Sequence, residues 1–102
     1  MSTAAEKRYM AQVAALGCAI CRRLGLGVTP AQVHHPRADA GMGQRASDFD
    51  TIPLCPYHHT GDGGFHALGP VRFAAEYGVT ERELTEQTRR DVEQANTDAR
   101  LW

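Results

Sequence analysis

No run of about 18 or more apolar residues occurs in this chain, which leaves nothing to span a membrane as a helix. Its first residues, Met1-Ser2-Thr3-Ala4-Ala5-Glu6-Lys7-Arg8, lack the basic stretch followed by an apolar one that marks a secretory signal. A reducing cytosol is therefore the expected compartment. Cysteine is scarce and odd in number, with Cys18, Cys21 and Cys55 alone. Cys18 and Cys21 lie too close for a structural disulfide framework, so thiolate ligands are expected in place of cystines. Excess charge is missing as well: 11 Lys and Arg stand against 12 Asp and Glu, which excludes a protein that coats DNA by bulk attraction. Repeats and low-complexity tracts are absent. At 102 residues the chain is one small domain. Folding at that size hides only about 60–70% of the unfolded surface, so the core is modest and a metal staple helps it.

What the chain does have is eight Cys and His side chains in one order: Cys18-Ala19-Ile20-Cys21, His34-His35, Cys55-Pro56-Tyr57-His58-His59, then His66. Two Cys separated by two residues form a knuckle that turns its backbone around a metal. A second pair of the same spacing, Cys55 and His58, completes a tetrahedron of soft ligands. Cys18, Cys21, Cys55 and His58 are thus the expected ligands of a structural zinc ion. His34, His35, His59 and His66 remain as a second cluster.

Local signals place these residues on a short list of elements. Thr3-Ala4-Ala5-Glu6 reads as a capping box, and Tyr9, Met10, Val13 and Leu16 recur at helical spacing, predicting a helix over 4–16 stopped by Gly17. Ala31-Gln32-Val33-His34-His35 reads as a short extended stretch ended by Pro36, which keeps His35 out of helical geometry. Residues 36–47 read as a loop around Gly41-Met42-Gly43. A second strand, Thr51-Ile52-Pro53-Leu54, leads into Cys55, and Pro56 suits the first turn of a helix carrying Tyr57, His58 and His59. Gly61-Asp62-Gly63-Gly64 breaks that helix and lets the chain turn so that His66 returns. Gly69-Pro70 opens a further helix through Tyr77, closed by Gly78. Thr80-Glu81-Arg82-Glu83 caps a long helix to about Arg100, whose apolar positions are chiefly Leu84, Val92 and Ala95.

Within the histidine cluster, consecutive side chains on an extended segment point to opposite sides, so His34 and His35 take different jobs. One is suited to a metal, the other to a proton, because a neutral imidazole titrating near pH 6.5 serves as a general base only while free of the cation. His59 follows His58 by about 100° of helix, so the two face different metals. His66 completes the second shell.

The stretch from Val33-His34-His35-Pro36 to Ile52-Pro53-Leu54-Cys55-Pro56-Tyr57-His58-His59 resembles the HNH endonuclease superfamily, whose ββα-metal finger runs strand, loop, strand, helix. With the Cys-x-x-Cys ahead of the finger, Ser47-Asp48 within it, and His66, Phe73, Glu76, Tyr77 and Gly78 beyond it, the chain is similar to small phage-type nucleases related to the RecA-dependent, recombination-enhancing family. The resemblance runs over roughly residues 7–86. It implies a small zinc-stabilised α+β domain over 1–102, with an N-terminal helix and zinc knuckle over 1–25, a ββα-metal core over 31–68 and a helical part over 69–102. It also implies that His35 activates water against a DNA phosphodiester, that His34, His59 and His66 hold one catalytic divalent cation (Mg²⁺, Mn²⁺, Ni²⁺ or Zn²⁺), and that the products carry 5′-phosphate and 3′-hydroxyl ends. The implied partners are DNA and a RecA-type filament, in the cytoplasm of a bacterial host of the phage or prophage.

The departure from the superfamily is its middle residue, since no Asn lies between His35 and Cys55 and the chain's single Asn is Asn96. Asp48 or Asp50 has to anchor the loop instead, with Asp48 preferred and a metal-facing role open for either. Arg37, Arg45 and Arg72 are the candidates for phosphate contact, though each also reads as a solvated charge. Phe65, Phe73 and Tyr77 read as core. Two other functions fit parts of the same residues. A zinc-stabilised nucleic-acid-binding or protein-binding module without catalysis predicts one metal, with His35 and His66 turned away from any common point. A thiol oxidoreductase needs Cys18 and Cys21 free. Leu101 and Trp102 offer a surface for a homodimer.

Overall fold

The first helix starts where the capping box sets it. Thr3 Oγ1 accepts from the Glu6 N–H at 3.1 Å, and the Glu6 carboxylate accepts from the Thr3 N–H at 2.8 Å. The computed structural model describes residues 2–36 and 47–100. In it α1 spans Ala4–Ala15, and Val13 is its buried residue. Next comes a helix that residue patterning did not reveal, α2, Ala19–Arg23, with Cys18 as its N-cap and Cys18 Sγ accepting from the Cys21 N–H at 3.4 Å. One turn is too short to show a hydrophobic period, and the knuckle itself nucleates it.

β1 (Gln32–His34) pairs antiparallel with β2 (Ile52–Leu54) in the register Gln32 to Leu54, Val33 to Pro53 and His34 to Ile52. All three residues of β2 are buried, because the strand lies beneath helices on the sequence's two ends. α3 (Pro56–His59) follows at once, with Pro56 in the first turn, where its missing N–H costs nothing.

The next helix begins earlier than Gly69-Pro70. α4 runs Phe65–Tyr77, with Gly69 at φ 80° and ψ 167° breaking it into a first turn and a longer second part. Pro70 excludes an unbroken helix, and the turn before it gains from burying Phe65. Gly78 ends α4 in the left-handed region at φ 68°, its N–H bonded to the Ala74 carbonyl, while the Arg23 guanidinium donates to the Tyr77 and Gly78 carbonyls.

α5 (Glu81–Arg100) opens on the expected capping box. Thr80 Oγ1 accepts from the Glu83 N–H, and the Glu83 carboxylate accepts from the Thr80 N–H. Those hydrogen bonds from Thr80 pull the Glu83 carboxyl below its usual range. Its buried stripe is Glu81, Leu84, Thr88 and Val92. Ala95, one of the helix's few apolar residues, is exposed, because the stripe advances by three or four residues and passes from Val92 to the half-buried Asn96. The Gln12 side-chain amide on α1 donates to Asn96 Oδ1 at 2.6 Å, which fastens α1 along α5.

One core joins these parts. Cys18, Ile20, Cys21, Ile52, Leu54, Cys55, Phe65, Phe73, Val79 and Leu84 pack in a single cluster, with Leu68 and Tyr77 against it. Phe65 and Phe73 thus sit inside, as expected. No helix among the described residues is long and apolar enough to cross a membrane. The loop read around Gly41-Met42-Gly43, the bases Arg37 and Arg45, and the Leu101-Trp102 end lie outside the described residues.

Candidate metal centres

Two groups of donor atoms converge: one joins the three cysteines with His58, the other joins three of the four remaining histidines, without His35. Cys18, Cys21, Cys55 and His58 are all buried, with their ligand atoms within 4.8 Å of one another. The knuckle presents two sulfurs from the start of α2, and the β2–α3 turn presents Cys55 and, one helical turn on, His58. Cys21 Sγ lies 3.7 Å from Cys55 Sγ, and His58 Nδ1 lies 3.6 Å, 3.5 Å and 3.2 Å from the sulfurs of Cys18, Cys21 and Cys55. A tetrahedral zinc ion with Zn–S near 2.3 Å and Zn–N near 2.0–2.1 Å requires edges of roughly 3.8 Å between sulfurs and roughly 3.5 Å from sulfur to nitrogen. The donors are already spaced for it.

Their electrostatics fit a site that waits for a cation. Burial pushes the Cys18 thiol up to about 11, so this sulfur is a neutral thiol without metal. At Cys55 burial works the same way, but the amide N–H of His58 and neighbouring donors outweigh it and pull that thiol down. Burial also lowers His58, which keeps its imidazole neutral and able to ligate. A redox pair needs an accessible thiolate of low pKa. Cys18, fully buried and raised, is the opposite.

His34, His59 and His66 form the second group, again within 4.8 Å. Their burial is graded: His34 at the end of β1 is 2% exposed, His59 on α3 is intermediate, and His66 in the first turn of α4 is exposed. His59 Nε2 and His66 Nε2 approach to 3.1 Å, close to the edge that two imidazoles share on one ion. Burial, with the nearby His34 and His66, lowers His59 to about 4, so its ring is neutral at physiological pH. The turn over 61–64 brings His66 back. A side chain at Gly64 would sit 2.7 Å from the His59 carbonyl carbon and oxygen, so only glycine lets the turn close against α3.

Two of the three rings have a side-chain oxygen as acceptor on one nitrogen. His34 Nε2 donates to Glu81 Oε2 at 2.8 Å, and His59 Nδ1 donates to Gln32 Oε1 at 2.8 Å. Residue reading placed neither Glu81 nor Gln32 in the site. Glu81 stood out only as part of a capping box, 47 residues from its partner, and no local pattern carries that pairing.

His35 stands outside both groups. Its side chain is 20% exposed, and its Nε2 donates to Asp48 Oδ1 at 2.7 Å. Asp48 is buried, also accepts from Ser2 Oγ, and through its carbonyl accepts from Thr51 Oγ1 at 3.1 Å, so it ties the turn before β2 to both the N-terminal segment and His35. Asp50 pairs instead with Arg89 of α5. Arg72 is exposed on α4, while Arg37 and Arg45 fall outside the described residues.

Fold and donor sets together define a small α+β protein with a buried Cys/His site that fits a metal such as zinc and a half-exposed His cluster beside it. The chain belongs to the family described as recombination enhancement, RecA-dependent nuclease, whose model matches residues 2–97. No curated protein is similar enough to match it. The family's description sets the chain among nucleases, in the context of DNA, RecA and recombination.

Proposed function

We propose that this protein is a metal-dependent DNA endonuclease of the HNH, ββα-metal kind, with zinc on Cys18, Cys21, Cys55 and His58 and a catalytic divalent cation on His34, His59 and His66. One observation carries the reading: three histidines converge on a point of their own, while the adjacent His35 is held apart from them by a buried carboxylate. A binding module with a single structural metal gives no reason for that separation.

A divalent cation held by His34, His59 and His66 would supply charge stabilisation to the phosphoryl oxygens and to the departing 3′ oxygen. The rest falls to the chain. Asp48 holds His35 with its proton on Nε2, which leaves Nδ1 as the basic nitrogen. His35 takes a proton from water as the water oxygen bonds to phosphorus. The bond from phosphorus to the 3′ oxygen breaks, and that oxygen takes a proton from solvent water. The ends left behind are a 5′-phosphate and a 3′-hydroxyl. Imidazole donors favour the softer divalent ions, with Ni²⁺ and Zn²⁺ ahead of Mg²⁺ and Mn²⁺ in affinity. A phage or prophage origin and a RecA filament as the assembly that presents the DNA complete the proposal. Arg72 is its candidate for phosphate contact among the described residues, with Arg37 and Arg45 beyond them.

The test incubates supercoiled plasmid, and separately RecA-coated single strands with a homologous duplex, with protein and Mg²⁺, Mn²⁺, Ni²⁺ or Zn²⁺. Wild type nicks or cuts at least one of these substrates. His35→Ala lowers the rate by roughly 10²–10⁴-fold, the contribution of a general base, with metal content unchanged. Equal conversion by wild type and His35→Ala sinks the reading.

A further inference from the structure

Glu81 is buried to 7% exposure, yet one oxygen of its carboxylate, Oε1, has no hydrogen-bond partner among the described residues. Burying an unpartnered carboxylate oxygen is costly, and the other oxygen spends its bond on a histidine, not on a backbone donor. Packing alone gives no reason for a carboxylate here, where Leu84, Thr88 and Val92 continue the same stripe without charge. A cation bound through His34 would place positive charge one ring away and offset the cost.

Tautomer logic makes the point sharper. A neutral imidazole has one N–H and one lone pair. A carboxylate and an amide oxygen only accept, so each must take an N–H. Glu81 therefore puts the proton of His34 on Nε2 and leaves the lone pair on Nδ1. Gln32 puts the proton of His59 on Nδ1 and leaves the lone pair on Nε2, the nitrogen 3.1 Å from His66. Outer partners of this kind fix ring orientation and raise ligand basicity in metal sites.

We propose that Glu81 and Gln32 are positioning residues for the second cation, which is taken by Nδ1 of His34 and Nε2 of His59. Glu81 acts from the first residue of α5, and Gln32 from the first residue of β1. This assignment rests on the three-histidine site proposed above, and the experiment separates the two.

Zinc-loaded protein is titrated calorimetrically with Ni²⁺, with zinc content measured before and after. The variants are Glu81→Gln, Glu81→Ala, Gln32→Ala and His59→Ala, and melting temperatures are taken before Ni²⁺ is added. Glu81→Ala is expected to weaken Ni²⁺ binding by about 10–100-fold. Glu81→Gln, which keeps the shape and the acceptor oxygen but not the charge, weakens it by less while its Ni²⁺-free melting temperature holds or rises. Gln32→Ala has the smallest effect, because Gln32 is exposed and water can replace it. If both Glu81 variants bind Ni²⁺ like wild type while His59→Ala does not, the positioning role is overturned and the site survives. Unchanged affinity with a lowered melting temperature in Glu81→Gln makes Glu81 a structural pin and overturns it too. If His59→Ala binds Ni²⁺ like wild type, the three-histidine site and the positioning role fall together.

Discussion

Two neighbouring histidines differ because a strand ends between them. His34 closes β1 and turns inward to Glu81 and the His cluster, and His35, the next residue, meets Asp48 on the other side. That split was readable from alternation and from Pro36 alone; the identity of the carboxylate was not. Local pattern alone does not separate Asp48 from Asp50, both turn residues before a strand. The Ser47-Asp48 resemblance favours Asp48, but as the loop anchor and not as the partner of His35. Only the fold shows that Asp50 is taken by Arg89 while Asp48 is buried against His35. The difference bears on rate. In Asp48→Asn the side-chain amide can donate where the carboxylate accepted, which moves the His35 proton to Nδ1 and, on the proposed mechanism, removes the base. DNA cleavage is expected to fall by roughly 10²-fold or more, within the range a general base contributes. Adding His35→Ala on top should cost little more, because the two residues act as one unit. A double variant whose loss is the product of the single losses refutes the pairing.

Between β1 and α4, short elements do the work of delivery, and glycine sets their paths. α3 carries His58 into one cluster and His59 into the other, because consecutive residues on a helix face about 100° apart. The turn over 61–64 then folds onto the backbone of Tyr57 and His59, and Tyr77 Oη donates to the Gly63 carbonyl at 2.6 Å to hold it there. A methyl group at Gly64 meets backbone that cannot rotate away. Gly64→Ala should therefore carry His66 off its partner and weaken Ni²⁺ binding by at least the roughly tenfold that losing an outer partner costs, with zinc retained. Calorimetric titration checks it, and wild-type affinity in Gly64→Ala means that the turn has room to spare. Capping boxes, the Pro-led helix and this glycine turn were all legible, since each is a local pattern with a local cause. α2 and the first turn of α4 were not. Both are single turns that carry candidate metal ligands or a buried aromatic, and neither leaves a period in the sequence.

Across the whole molecule the two proposed centres should depend on each other in one direction only. Cys18, Cys21 and Cys55 are members of the hydrophobic cluster, in contact with the residues that join α2, β2, α4 and α5, whereas His59 and His66 lie toward the surface. Zinc binding in such closed sites is worth about 10–16 kcal/mol at neutral pH, of the same order as the roughly 5–15 kcal/mol that separates a native domain from its unfolded chain. A core this small has no comparable reserve. Removing zinc should therefore unfold the chain as a unit and take the second site with it, because α3 supplies a ligand to each. Losing the outer cation should leave the fold in place. The comparison is between Cys21→Ser, or wild type stripped by a strong chelator, and His59→Ala. Far-ultraviolet circular dichroism is expected to lose most of its helical signal in the first two and recover it when zinc is returned to the stripped wild type. His59→Ala keeps both signal and zinc. A zinc-free wild type that melts at its original temperature would show that the cysteines are packing residues first and ligands second, and that the second site does not depend on zinc.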